Sequence, residues 1–583
     1  LSSSGKIPVT ASFPGSRGGC IHVVQRAGSP PIIALAGSDA KGAQHVVYDF
    51  SREVLGIDPF QWWTGYEPAR IADLQDILPA ITSQVIQPPR VPILGYFDND
   101  NDELANMTKP YLEFNLETWK ALIDAIVRLK YNAIDMHDHL GRSEFYRWPF
   151  YKQLRPDYEP NVKLLDAVID YAHQKGVKIQ VSFFLGWKFK SISDPAASDY
   201  WRHKQEWLDT WRYYLKHTPI GKCDIFLNRP RDQRWDRRYK GANTAETARI
   251  FNDAFHEMHD IIKKHNPDAI IICDLYSEGM GVFDAGFAPE PAADYVMAWP
   301  DDGFGAFKRL PASFRGYKFG TYVHAGFFLN HVVQDPYPEL LETQLKDAII
   351  RHGMDAYCLV NGQTFRHYML NLEACSALCI DPASFDAVKF YKTWTTRYFG
   401  AAASEPITRA MQLLHEAQAN RSGYISLMQH VTSIAMLRLK LIKALRFLPR
   451  SWVNGVVNKI AKQFQVNKTV AQLERNVVLL KEATELAQST AAIVSDQANF
   501  FHDQVLLPIT LLLQINQIAL ELDQAAIDGK RKMHVQNAIE LFKQHHATRM
   551  SGDKNPRWAT WYDPDKRRPN GGYPTLARLE KLL

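Results

Sequence analysis

Acidic side chains recur at the ends of short apolar runs in this chain, and their spacing is what could do chemistry. The run "VMAW" passes into "PDDGFG", with adjacent Asp301 and Asp302; "AIIICDLYSEG" ends in Asp274 and Glu278; "NAIDMHDH" carries Asp135, His137, Asp138 and His139; "ILGYFDNDND" carries Asp98, Asp100 and Asp102. Adjacent acids repel, and burying one is costly unless something pairs with it or uses it. Two carboxyl groups facing one cleft suit the cleavage of a glycosidic bond. One, kept protonated, gives its proton to the leaving oxygen, while the other, ionised, activates water or attacks the anomeric carbon. A separation of about 6.5–9.5 Å inverts configuration and one of about 5–5.5 Å retains it.

Each motif also has an ordinary reading. "FDNDND" alone is most often a solvated turn, Glu278 could cap the segment after it, and Asp301 and Asp302 could brace a turn. "DMHDH" could ligate a metal, yet no third and fourth ligand at a clear spacing can be named, and no cofactor is expected. Several such acids falling at corresponding places are harder to explain as solvation than any one of them.

The elements that must position these residues alternate. From residue 91 to 399, strand-like runs ("ILGYF", "NAIDMH", "KIQVSFF", "CDIFL", "AIIICDL", "YVMAW", "KFGTYV", "AYCLV") are separated by helix-period segments such as "LETWKALIDAIVRLK" and "AETARIFNDAFHEMHDIIKKH". This is the (β/α)8 TIM-barrel pattern, in which the carboxyl ends of the strands carry the chemistry. The spacer between the fifth and sixth strands is short and loop-like, so a missing or shrunken helix is expected there. The same strand-end rule adds Trp187 as a sugar platform, Arg229, Tyr322, His324 and Asn361 to the rim. Residues 1–90 read as a small α/β domain, closed by the linker "QPPRVP", and residues 400–583 as a helical bundle.

Composition narrows the classes. With 46% hydrophobic and 22% charged residues the chain is globular rather than disordered. A net charge of +5 over 583 residues, scattered apart from "RPRDQRWDRR" and "DKRRPN", leaves no nucleic-acid footprint. Six cysteines without a zinc-type spacing describe no disulfide scaffold. The apolar stretch "VLLPITLLLQINQIALEL" is interrupted by proline and polar residues and reads as a buried helix; "MLRLKLIKALRF" is basic and amphipathic but reads as core-facing among bundle helices, so no membrane is expected. The helical region offers a surface for a homodimer. The amino terminus begins at Leu1 without an apolar leader, and a processed chain, secreted or periplasmic, is expected.

Five motifs, in order, resemble glycoside hydrolase family 115, the α-glucuronidases that act on xylan. "AGSDAKG" (36–42) is similar to the family's Ala-Gly-Ser-Asp-Lys-Arg-Gly and "YDFSREVLGIDPFQWW" (48–63) to its Tyr-Asp-x-Ser…Trp-x-Trp-Trp. "GYFDND" (95–100) resembles Gly-x-Phe-x-Asn-Asp, "WPDDGFG" (299–305) resembles Trp-Ser-Asp-Asp-Asn-Phe-Gly, and "GTYVHAG" (320–326) resembles Gly-Val-Tyr-Tyr-His; Asn361 falls on the family's Val-Asn-Val-Gly-Asp. The resemblance implies a barrel between a small α/β domain and a helical domain, and a polysaccharide substrate. Two motifs depart from it. "VSFFLGW" lacks the histidines and acid of Ser-His-His-Glu-Pro-Met, and "GQTFRHY" lacks the acids of Gly-Asp-x-Lys-Pro-x-Glu.

An exo-acting glycoside hydrolase removing a terminal, uronic acid sugar from a plant or algal polysaccharide is therefore expected. Glu278 is the expected general acid and Asp302 the base. Asp100 and Asp301 would hold sugar hydroxyls, His137, Asp138, Tyr322, His324 and Asn361 would line the pocket, Arg229 would fork a uronate carboxylate, and Asp39 is included from its motif. The alternatives are a glycosidase of different sugar specificity on the same scaffold, a non-catalytic carbohydrate-binding protein, and a metal-dependent enzyme using "DMHDH".

Overall fold

The computed structural model describes residues 7–26, 28–66, 77–78, 81–97, 115–136, 162–184, 192–229, 243–276, 279–326, 332–362, 365–419, 423–445, 447, 449–461, 468–527, 530–553, 558 and 571–582. Three strands come first in the chain, β1 (Gly19–Arg26), β2 (Ser29–Gly37) and β3 (Gln84–Ile86). Eight parallel strands then form a closed barrel: β4 (Leu94–Phe97), β5 (Ala133–Asp135), β6 (Lys178–Phe184), β7 (Ile225–Arg229), β8 (Ile270–Asp274), β9 (Tyr295–Pro300), β10 (Lys318–His324) and β11 (Cys358–Asn361), with β11 pairing back onto β4. All eight arise from the expected apolar runs.

Period-two alternation sorts each strand's side chains. Tyr96, Ile134, Phe183, Phe226, Cys273, Met297, Val323 and Val360 face the helical layer. Phe97, Ala133, Ile225, Leu227, Ile272, Ala298, Tyr322 and Leu359 fill the interior. The alternation has a direct consequence at the strand ends. In each of β5, β7, β8, β10 and β11 the last residue (Asp135, Arg229, Asp274, His324, Asn361) is in phase with the interior set, so a polar group sits on top of an apolar plug.

The helices follow from equally local causes. Leu116–Arg128 starts at Asn115, whose side chain accepts from the Thr118 N–H, and turns Trp119, Leu122, Ile123 and Ile126 onto the strands. Thr244–His265 is capped by Asn243 and ends in Lys263, Lys264 and His265, which complement the carboxyl end of its dipole. Between β8 and β9 the described residues form the six-residue helix Gly279–Asp284 and a three-residue 3₁₀ turn, Ala292–Asp294, so the helix expected to be missing or shrunken is present and short. Between β9 and β10 there is no helix at all. There Phe283 meets Trp299 edge-on at 6.3 Å, Phe314 stacks on Phe319 at 4.5 Å, and the guanidinium groups of Arg309 and Arg315 lie over Trp299 and Phe283.

The first three strands form an antiparallel sheet in the order β2-β1-β3, packed on helix Ala40–Glu53. This unit seats on the amino-terminal end of the barrel. Arg17 Nη2 donates to Val91 O just before β4, Lys41 Nζ to Lys175 O just before β6, and Lys130 pairs with Asp49 at 2.7 Å with both side chains buried.

After β11 the described chain is helical. The helical stretch Ser495–Ala525 is long and apolar enough to cross a membrane by length and composition, and its part Leu507–Ala525 buries Leu511, Leu512, Ile515, Ile518 and Leu522 against Val470–Thr490 and Arg531–Met550. Met436–Ala444, the basic stretch, buries Leu439 and Ile442 and also Arg438, which pairs with Asp523. The bundle meets the carboxyl end of the barrel: Gln418 donates to Gln334 O, Gln504 Nε2 to Arg366 O, and Arg366 pairs with Asp503.

Candidate active site

The carboxyl ends of β7, β8, β10 and β11 gather one cluster. The Arg229 guanidinium carbon lies 4.7 Å from the centre of the Tyr276 ring, and its Nε is 3.6 Å from Asp274 Oδ2. Asp274 is 1% exposed, and its Oδ1 accepts the Tyr276 N–H at 2.9 Å, which closes a small turn at the end of β8. Tyr276 in turn faces Tyr322 and His324, with ring centres 5.7 and 6.2 Å away, and Tyr322 stacks on His324 at 5.0 Å. Asn361 Nδ2 donates to the Tyr322 hydroxyl at 3.0 Å. Burial, with Tyr276 and Asp274 nearby, pushes the Tyr322 hydroxyl well above the ordinary phenol range, so it stays protonated. Beneath, the Tyr357 hydroxyl donates to Gln180 Oε1 and Gln180 Nε2 to Asp135 Oδ2 at 2.6 Å, a polar chain across the barrel interior.

Asp301 and Asp302, adjacent in sequence, do different work. Asp301 accepts four hydrogen bonds: from the N–H groups of Gly303 and His324 at 2.8 Å, from that of Gly305 at 3.1 Å, and from His324 Nδ1 at 2.5 Å. Its lone pairs are spent on the protein, so the expected hold on sugar hydroxyls gives way to an internal anchor that ties β9 to β10. A carboxylate on Nδ1 places a ring proton there. The turn depends on glycine. Gly303 and Gly305 have φ of 88° and 84°, and a Cβ on Gly305 would come within 2.8 Å of Tyr337 Cε2. Asp302 is half-buried; its Oδ1 accepts from Phe304 N–H at 3.0 Å and Ala306 N–H at 3.4 Å, and no partner is seen for Oδ2 among the described residues.

Asp39 lies elsewhere. It caps helix Ala40–Glu53, accepting from Gly42 N–H at 2.6 Å, Ser16 Oγ at 2.8 Å and Arg17 N–H at 3.0 Å. Its neighbours Arg17 and Lys41 touch the lead-ins to β4 and β6, at the end of the barrel opposite the rim. Burial pushes its carboxyl up, but the three hydrogen bonds outweigh that and hold it below the usual range. The motif at Asp39 is thus structural, and the expectation of substrate contact there is corrected.

Glu278, Asp100, His137, Asp138 and Trp187 lie outside the described residues. Among the described residues no three His, Cys, Asp or Glu side chains converge as a metal centre would require. Two contributors went unnoticed in the sequence. Tyr276 continues the inward parity of Ile270, Ile272 and Asp274, which was the signal for it. Gln180 sits in mid-strand, where no strand-end rule looks.

The profile of glycosyl hydrolase family 115 matches residues 87–423 of the chain. Among solved structures, the family 115 4-O-methyl-α-glucuronidase BtGH115A, with specificity for decorated arabinogalactans, is similar over 97% of this chain and 72% of its own, at TM-score 0.66 and 17% identity. A family 138 enzyme targeting pectin rhamnogalacturonan II is similar over 100% of this chain and 95% of its own, at TM-score 0.56 and 10% identity. A family 89 glycoside hydrolase from Clostridium perfringens, in complex with its substrate GlcNAc-α-1,4-galactose, is similar over 95% of this chain and 67% of its own, at TM-score 0.57 and 10% identity. A comparison with curated proteins gives no match in sequence.

Proposed function

Because the chain belongs to glycoside hydrolase family 115, we propose that its barrel rim removes a terminal uronic acid from a plant or algal polysaccharide, as an exo-acting hydrolase of the α-glucuronidase type. The observation that carries this reading is the placement of Arg229. Its guanidinium carbon lies 4.7 Å from the centre of the Tyr276 ring and its Nε 3.6 Å from Asp274 Oδ2, which keeps a cation at the rim of the kind that recognises a carboxylate. Tyr276, Tyr322 and His324 supply ring faces and polar edges for a pyranose beside it.

Catalysis in this reading uses two carboxyls. Glu278, two residues beyond Tyr276, protonates the leaving oxygen. Asp302, with Oδ1 anchored in the turn, offers Oδ2 to water or to the anomeric carbon. Export to the medium or periplasm belongs to the same proposal, since the polymer lies outside the cell. Assay of Glu278→Gln and Asp302→Asn on 4-O-methylglucuronidated xylo-oligosaccharides and arabinogalactan fragments tests it. Loss of turnover in both supports the assignment, and near-wild-type turnover in both overturns it.

A second reading, a different sugar on the same scaffold, is favoured by "VSFFLGW" and "GQTFRHY", where the family's histidines and acids are replaced. Turnover of neutral-sugar glycosides with none of glucuronides would select it.

A further inference from the structure

The cations of the helical region fall unevenly along the chain. Between Glu416 and Glu474 the sequence has nine Lys or Arg and no Asp or Glu, more positive charge than the +5 of the whole chain. Two helices carry the centre of this stretch, Met436–Ala444 and Arg450–Ala461. They pack on each other, and Leu441 lies against the clusters of both Val453 and Val457.

Their inward faces are filled, and what they turn outward is bare. Lys440 and Lys443, three apart, share the outer side of the first helix and are exposed. Trp452, Val456 and Lys459, at i, i+4 and i+7, lie in one line along the second and are exposed as well. Phe447, between the two helices, is 76% exposed and Trp452 is 55% exposed. None of the three lysines has an ion pair or a side-chain hydrogen bond among the described residues.

The acids of the helix beside them are already taken. Ala526, at the end of Leu507–Ala525, packs with Ile442 and Val453. In that helix Glu521 faces His534 Nδ1 at 2.7 Å, and Asp523 is shared by Arg438 and by His430 Nε2 at 3.0 Å. Asp528 lies outside the described residues.

Bare aromatic rings among unanswered cations match a partner that offers flat apolar faces and negative charge together. A pyranose supplies the first through its C–H face, and a uronate group the second. A lipid surface matches less well. Leu439, Ile442, Val453 and Val457 are turned into the protein, so little apolar surface is left to insert. From Trp452 to Lys459 the line runs roughly 10 Å, the span of a short oligosaccharide rather than of one sugar.

We propose that this face is a second carbohydrate-binding surface, for an acidic polysaccharide, with Trp452 stacked on a pyranose and Lys440, Lys443 and Lys459 facing carboxylates. It rests on the carbohydrate chemistry of the family and not on the uronate reading of the rim. A chain held there stays on its polymer between cleavages.

Affinity electrophoresis of the full chain in gels cast with polygalacturonate or with neutral arabinan tests it, beside co-sedimentation with phosphatidylglycerol vesicles. Retardation by polygalacturonate is expected, with arabinan at least about tenfold weaker. Trp452→Ala, at an exposed position, should weaken polygalacturonate at least about tenfold with an unchanged melting temperature. Lys440→Gln, Lys443→Gln and Lys459→Gln together should weaken it as much in about 0.05 M salt, and the difference should close near about 1 M, where the screening length is about 3 Å. If Trp452→Ala misfolds, the lysine variant carries the test. No retardation, equal retardation by arabinan, or indifference to the substitutions overturns the proposal. Vesicles bound at least as tightly as polygalacturonate overturn it in favour of a membrane. Retardation lost in Arg229→Met but kept in Trp452→Ala places the binding at the rim and overturns it too. Turnover of short glucuronides, which Trp452→Ala should leave unchanged, reports on the rim separately.

Discussion

The carboxylate of Asp301 holds His324 twice, through the ring Nδ1 at 2.5 Å and through the backbone N–H at 2.8 Å, so the last residue of β10 is positioned by the first residue after β9. Asp301→Asn keeps the shape but no longer stabilises the Nδ1 proton as an anion does. A fall in kcat/KM of about tenfold, ~1.4 kcal/mol, is expected in steady-state kinetics, because His324 is then less firmly set at the rim. Asp301→Ala strands three backbone N–H groups and the imidazole and should lower stability by about 3–5 kcal/mol in urea unfolding.

Arg229 separates charge from shape. Arg229→Met should lower kcat/KM on glucuronides about 10–100-fold and leave neutral glycosides untouched. Arg229→Lys restores the charge without the fork and should recover only part of the loss. Steady-state kinetics on a matched glucuronide and glucoside pair checks both.

Asp39→Ala should cost about 1–2 kcal/mol of stability, the usual worth of an N-cap, and leave kcat/KM unchanged, because the residue caps a helix at the end of the barrel away from the rim. A melting curve and an assay on the same preparation suffice.

His415 ties helix Ala401–Glu416 to the loop after β10, with Nδ1 2.6 Å from Asp335. Burial lowers its pKa, but Asp335 more than offsets this and raises it above the ordinary 6.5. A group raised on folding stabilises fully below its unfolded pKa and loses that contribution as pH rises through the folded value. Urea midpoints should therefore fall as pH rises from about 6.5 through the raised value, and His415→Gln should flatten that slope.

Gly305→Ala must adopt a left-handed conformation and press its methyl on Tyr337, whose hydroxyl donates to His324 O at 2.7 Å. A loss of about 2 kcal/mol or more and a parallel loss of activity are expected in unfolding and kinetic measurements.

The sequence made the barrel legible because eight apolar runs carry a period that helices do not share. It also placed Arg229, Tyr322, His324 and Asn361, because strand-end parity is a local property. The job of Asp301 was not legible: its four donors come from a glycine turn and from the next strand, a relation no single window contains. Asp39 misled through its motif, although Gly42, three residues on, is the ordinary partner of an N-cap. The missing helix before β10 was half-announced by Pro311 and Gly316, which break any helical period in "FKRLPASFRGYK".

That missing helix has a mechanical meaning. In its place Arg309, Phe314 and Arg315, from one irregular stretch, cover Trp299, Phe319 and Phe283. The β9–β10 ladder itself runs over five paired positions, from Lys318 opposite Val296 to Tyr322 opposite Pro300, and the Asp301–His324 clasp extends it past the end of β9. Side chain thus takes over from backbone where that ladder ends.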